Sequence, residues 1–188
     1  MTLTQSILQG AFRFALVSLV AYAIWAFGGK MSTPVLYSSS TLAFVLLSGL
    51  LLHPLIDGPG RLARVYASFV PGFLLYAALW CLGWFGIRGP AGEVFGSAAG
   101  LAGLTFVMTR SFKAKGVFLP ALAVLFLFHS HGYTLGGLCY SATYGKNVLA
   151  PLLEGNTPAG RLLWGLFYGL GFGAGLGYAF SRCQHHSS

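Results

Sequence analysis

The stretch His129-Ser130-His131-Gly132-Tyr133-Thr134, followed by Gly136-Gly137 and Cys139-Tyr140, is where ionisable and polar side chains gather inside an apolar run of this chain. Such groups are costly in hydrocarbon, so they face a bundle interior or water, and His129, His131 and Tyr133 become candidates for contact with a ligand or solute. Two histidines at i and i+2 point to nearly opposite faces of a regular helix. A metal pair on one helix face uses i, i+3 or i, i+4, as in His-Glu-x-x-His, which is absent, so no metal site is expected. Gly132, Gly136 and Gly137 could loosen the helix, and broken spans of this kind line substrate sites in transporters. A pathway gated by these histidines should respond between about pH 5 and 8, where an unperturbed imidazole titrates. The alternative is that both histidines lie near the interface and bond to neighbours or water.

Ser38, Ser39, Ser40 and Thr41 form a second polar run, near the start of another apolar stretch. One face of it could join the histidine cluster in a polar vestibule; equally, the hydroxyls can bond back to their own helix or across to a neighbour. His53, beside Pro54 and Asp57, reads as an interfacial histidine. No Gly-x-Ser-x-Gly elbow, Walker loop or dinucleotide fingerprint occurs. Asp57, Glu93 and Glu154 are too few and too scattered for a paired-carboxylate site. Cys81, Cys139 and Cys183 show no Cys-x-x-Cys spacing. No catalytic residue and no cofactor is assigned.

The chain that must position these groups is 56% hydrophobic and only 7% charged. Soluble domains carry roughly 25% charged residues, so this chain cannot cover itself in water. A helix needs ~20 apolar residues to cross a bilayer, and 188 residues accommodate about six. The expected fold is an all-α, six-span transmembrane bundle in one domain, 1–188, with spans near 7–27, 34–56, 65–87, 91–109, 117–140 and 162–180. Arg13 near the start of the first span can snorkel to the headgroups. Pro34, Pro90 and Pro158 suit first helical positions and open spans two, four and six. Asp57-Gly58-Pro59-Gly60 is a turn, and Pro71-Gly72 a candidate kink in span three. The tail from Cys183 to Ser188 is polar, and His185-His186 is set aside as a tag-like remnant.

Span six carries the strongest packing signal. Gly165, Gly169, Gly173 and Gly177 recur every fourth residue, and Gly171 and Gly175 add a second row at the same spacing. Interior glycines weaken a helix in water by roughly 1 kcal/mol each. In lipid they instead form a groove that lets another backbone approach closely. Gly96 and Gly100 in span four make the matching small face, so spans four and six are expected to pack together.

A net charge of +8 does not indicate nucleic acid here, because the cations sit singly or in small groups between apolar runs. With six spans, one side carries Arg13, Arg61, Arg64, Arg110, Lys113, Lys115 and Arg182, and the other Lys30, Arg88, Lys146 and Arg161. That bias puts both termini in the cytoplasm, with a bacterial inner membrane as the expected location. The expected partners are the lipid bilayer and other membrane helices, in a homo-oligomer or a larger complex. Two functions fit: a channel or transporter for a small neutral or weakly polar solute, or a non-catalytic accessory subunit packing through glycine faces. No Asp, Glu, Lys or Arg lies mid-span, which argues against ion coupling.

Overall fold

A computed structural model describes residues 1–186 and starts its helices on local signals. At the N-terminus the Gln5 amide donates to Thr2 Oγ1 while the Thr2 amide donates to Gln5 Oε1, a reciprocal cap that opens α1 (Leu3–Phe27). Pro34 lies in the first turn of α2 (Thr33–Leu52), which tightens into a 3₁₀ turn at His53–Leu55. Gly60, at φ 67°, turns the chain into α3 (Arg61–Leu82). That helix runs through Pro71 and widens into a π turn at Gly83–Ile87. Pro90 begins α4 (Gly89–Ser111), and α5 (Phe118–Ala142) follows a short basic turn. A four-residue helix, α6 (Ala150–Leu153), precedes α7 (Thr157–His185), where Asn156 accepts from the Ala159 amide and Pro158 lies in the first turn. Six of these helices are long and apolar enough to cross a membrane, so the chain is a multi-pass helical membrane protein.

The long helices close into a ring. Each packs against the next in sequence, from α1 through α5, and α7 closes the circle between α5 and α1. Neighbours run antiparallel. Two latches hold the end where the chain turns from α2 to α3: the Asp57 amide donates to Gln184 Oε1 at 2.6 Å and Gln184 Nε2 donates to the Leu55 carbonyl at 2.9 Å. At the opposite end the Arg161 guanidinium stacks 4.5 Å from the Trp25 ring centroid and donates to the Trp25 carbonyl at 2.8 Å.

The glycine rows define the tightest seams, and the structure pairs them differently from the sequence expectation. Spans four and six, α4 and α7, barely meet. Gly165, Gly169, Gly173 and Gly177 face α1: a Cβ at Gly173 would overlap the Gly10 carbonyl oxygen, and one at Gly177 the Ser6 carbonyl oxygen. Ser6 Oγ donates to the Gly177 carbonyl at 2.8 Å in this buried seam. The second row, Gly171 and Gly175, faces α5 at Gly132 and Leu125. Gly96 and Gly100 face α3 instead, at Trp80 and Tyr76. The reason is geometric. Residues four apart stay on one side of a helix while residues two apart diverge, so two interleaved rows serve two different partners. One helix, α7, is thereby held between α1 and α5, and α3–α4 forms a second close pair.

The last span, expected to close at Arg182, continues as helix through Cys183, which is buried, to His185. Ser187 and Ser188 lie outside the described residues.

Candidate functional site

The axis of the ring is filled by aromatic side chains. Phe14 from α1, Phe44 from α2, Phe73 and Tyr76 from α3, and Tyr168 and Phe172 from α7 meet there. Phe172 is central and fully buried, with ring centroids 5.1 Å from Phe14, 5.4 Å from Tyr76 and 5.4 Å from His129. The helices deliver these rings because the glycine seams draw the backbones close, leaving room for large side chains on the faces that turn inward. Each well-placed aromatic pair adds about 0.5–1.5 kcal/mol beyond the area it buries. Above this plug the aromatic column continues through Tyr133, Trp164, Tyr22, Trp25 and Tyr140 to Tyr144.

His129 is set into the plug. Its side chain is only 1% exposed, the one histidine among the described residues with a buried ring. Tyr76 OH and His129 Nε2 share a hydrogen bond of 2.8 Å between α3 and α5. The imidazole stacks on Tyr133 at 5.9 Å and meets the edges of Tyr168 and Phe172. Nδ1 finds no hydrogen-bond partner among the described residues. The pair therefore ties two helices together with a buried polar bond. Removing the Tyr76 hydroxyl leaves the buried imidazole without a partner, at about 1–3 kcal/mol, whereas Tyr76 OH also has Tyr168 within reach.

The remaining candidate residues are dispersed. His131 lies on the outer face of α5, exposed, with its Nδ1 2.8 Å from the Leu127 carbonyl. The opposite facing of the two histidines follows from their spacing: His129 turns inward and His131 outward. Tyr133 is half-buried at the edge of the plug. α5 is one continuous helix through Gly132, Gly136 and Gly137, not a broken span. Two of those glycines admit α7 instead: Gly132 faces Phe167 and Gly136 faces Trp164.

Ser38, Ser39 and Thr41 do not join the histidine cluster, because α2 and α5 lie on opposite sides of the ring and make no contact. Ser38 and Thr41 instead line a shallow groove of about 400 Å³ on the outward face of α2, with Tyr37, Leu42 and Val45. Ser40 Oγ donates to the Ala21 carbonyl at 3.3 Å, which ties α2 to α1. His53 lies at the end of α2, with Nδ1 2.8 Å from the Leu50 carbonyl.

Among the described residues no group of three His, Cys, Asp or Glu side chains converges as a metal site would require. The sequence reading missed Tyr76, Tyr168 and Phe172. A hydroxyl-bearing aromatic in the middle of an apolar span is a signal that could have found Tyr76 and Tyr168; Phe172 carries none.

The fold and the site define a six-span α-helical membrane protein with an aromatic-filled axis. No family model, no curated protein and no solved structure matches the chain.

Proposed function

We propose that this protein is a non-catalytic accessory subunit of a larger membrane assembly, acting through its outer helix faces rather than through a central pathway. The observation that carries this reading is the aromatic plug. A solute path along the ring axis needs space bordered by polar groups. Here five helices send rings into that space, and its one buried imidazole is already bonded to Tyr76. The outward face of α2 is the surface that best suits a partner helix. The Ser38 and Thr41 hydroxyls make no hydrogen bond among the described residues, and Tyr37 and Leu42 flank them 55% and 58% exposed. Hydroxyls on a lipid-facing helix are the groups through which membrane helices bond to one another.

The charge bias sets the orientation in this reading. Arg61, Arg64, Arg110, Lys113, Lys115 and Arg182 lie at the cytoplasmic end of a bacterial inner-membrane protein, and Lys30, Arg88, Lys146 and Arg161 at the other. Arg13, the eleventh residue of α1, sits deeper and reaches toward the cytoplasmic end by donating to the Leu51 carbonyl at 3.3 Å in the last turn of α2. Both termini are then cytoplasmic.

The test uses a photo-activatable side chain at Thr41, within the groove, and at Leu119, which is 72% exposed on α5. Irradiation of native membranes should give a discrete protein adduct from position 41 and none from position 119. The same partner should stay with the unmodified chain through purification in a mild detergent. Lipid adducts alone at both positions, with a chain that purifies by itself, would overturn the proposal.

A further inference from the structure

We propose that the cleft where α4 turns into α5 is a binding site for the headgroup of an anionic phospholipid. The cleft has a volume of about 510 Å³ and is lined by Phe106, Thr109, Arg110, Lys113, Lys115 and Phe118. That lies within the roughly 300–1,000 Å³ of ordinary ligand sites. Three features together fit a lipid rather than a free ion.

The first is uncompensated charge. Arg110, Lys113 and Lys115 are all exposed, and none makes an ion pair or a side-chain hydrogen bond among the described residues. The chain has three acidic residues in all, Asp57, Glu93 and Glu154, and none of them lines the cleft. Arg64 of α3 lies outside the cleft, its guanidinium donating to the Asp57 carbonyl at 2.8 Å and lying 5.3 Å from the ring centroid of Phe112. Basic pockets between transmembrane helices at a membrane surface are suited to anionic headgroups.

The second is depth. Arg110 is in the last turn of α4, a helix long and apolar enough to cross a membrane, and Lys113 and Lys115 are in the loop just beyond its end. Phe106 sits one turn below, about 6 Å deeper at 1.5 Å per residue. It is 50% exposed, and Arg110 stacks 5.2 Å from its ring centroid. With Phe118 on the α5 side, it gives the upper acyl chains apolar surface within the same cleft as the cations. A free phosphate would use the upper half only.

The third is the backbone that presents the cations. Lys113 has φ 54° and Gly116 φ 72°, so the turn is tight and left-handed at both positions. A lysine at Lys113 occupies a conformation that glycine adopts more cheaply. α5 then begins beside the cleft with no side-chain cap, leaving its first amides available to an anion.

The full chain, purified in a mild uncharged detergent, tests this by native mass spectrometry with phosphatidylglycerol and phosphatidylcholine of matched chains added at equal concentration. Phosphatidylglycerol should be retained preferentially. Each surface cation contributes a factor of about five to such binding, so the combined variant Arg110→Gln, Lys113→Gln, Lys115→Gln should retain it on the order of a hundred-fold less. Lys30→Gln with Arg88→Gln, which removes charge from the opposite end, should retain it fully. Inorganic phosphate at millimolar concentration should not displace it. If the triple variant does not fold, Lys115→Gln alone carries the test, with a drop of about five-fold. Equal retention of the two lipids, undiminished retention by the folded variants, or displacement by inorganic phosphate would each overturn the assignment, the last by making the site one for a free anion.

Discussion

Alanine at Gly173 probes the α1–α7 seam with a single methyl group. That methyl would overlap the Gly10 carbonyl oxygen, lie 2.7 Å from Phe14 Cβ and 2.9 Å from the Gly10 carbonyl carbon. Carbon atoms in contact sit about 3.5–4.0 Å apart, so α1 and α7 must separate. Overpacking of this kind costs about 1–3 kcal/mol. Separation also stretches the buried bond from Ser6 Oγ to the Gly177 carbonyl, one turn away, at about 0.5–1.5 kcal/mol. Against this, replacing a mid-helix glycine by alanine gains at most about 1 kcal/mol of helix propensity. The net expectation is a loss of about 1–3 kcal/mol. Gly137 is the matched control: it is also mid-helix, and a Cβ there meets nothing within 4 Å. Gly137→Ala should be neutral or gain up to about 1 kcal/mol. Denaturation in detergent, followed by tryptophan fluorescence, reads both variants against the parent. Shifts of the same sign in the two variants, or a Gly173→Ala protein as stable as Gly137→Ala, would refute the seam as described.

Three further outcomes follow from the same contacts. In a double-mutant cycle, Tyr76→Phe and His129→Leu should couple by about 1 kcal/mol in unfolding free energy, and additive losses would mean the two side chains do not share a bond. Arg161→Ala should lower stability by about 1–3 kcal/mol, because it removes both the stacking on Trp25 and the bond to its carbonyl; an unchanged melting temperature would contradict this. Reporters fused at the C-terminus and in the loop around Asn156 should sit on opposite sides of the membrane, and matching signals would mean a span is missing or extra.

Much of the fold was legible in the sequence because membrane spanning rests on length and apolarity, and both can be read along the chain. Pro34, Pro90 and Pro158 mark helix starts for a reason local to each, and the structure has them in first turns. The divergence of His129 and His131 was equally legible, since it needs only the helical period. Partner choice was not. Gly96 and Gly100 announce a close approach, yet nothing in their spacing says whether α3 or α7 supplies the other backbone. The ring order decides it, and that order depends on contacts among residues far apart in sequence. The facing of Ser38 and Thr41 was not legible for a related reason: a polar run near a span start reads the same whether it turns inward or outward. The aromatic plug escaped because every span carries aromatic residues, so their convergence on one axis becomes visible only once the helices are arranged.

The most direct test of a sealed ring is passive permeability of the pure protein. Proteoliposomes containing only this chain, mixed in a stopped-flow instrument with hyperosmotic glycerol or urea, report solute entry by light scattering. Swelling should match that of empty liposomes, for the parent chain and for His129→Leu alike, because the rings around Phe172 close the axis. Solute entry markedly faster than in empty liposomes, changed by substitution at His129, would contradict the account and return His129 to the role of a gate.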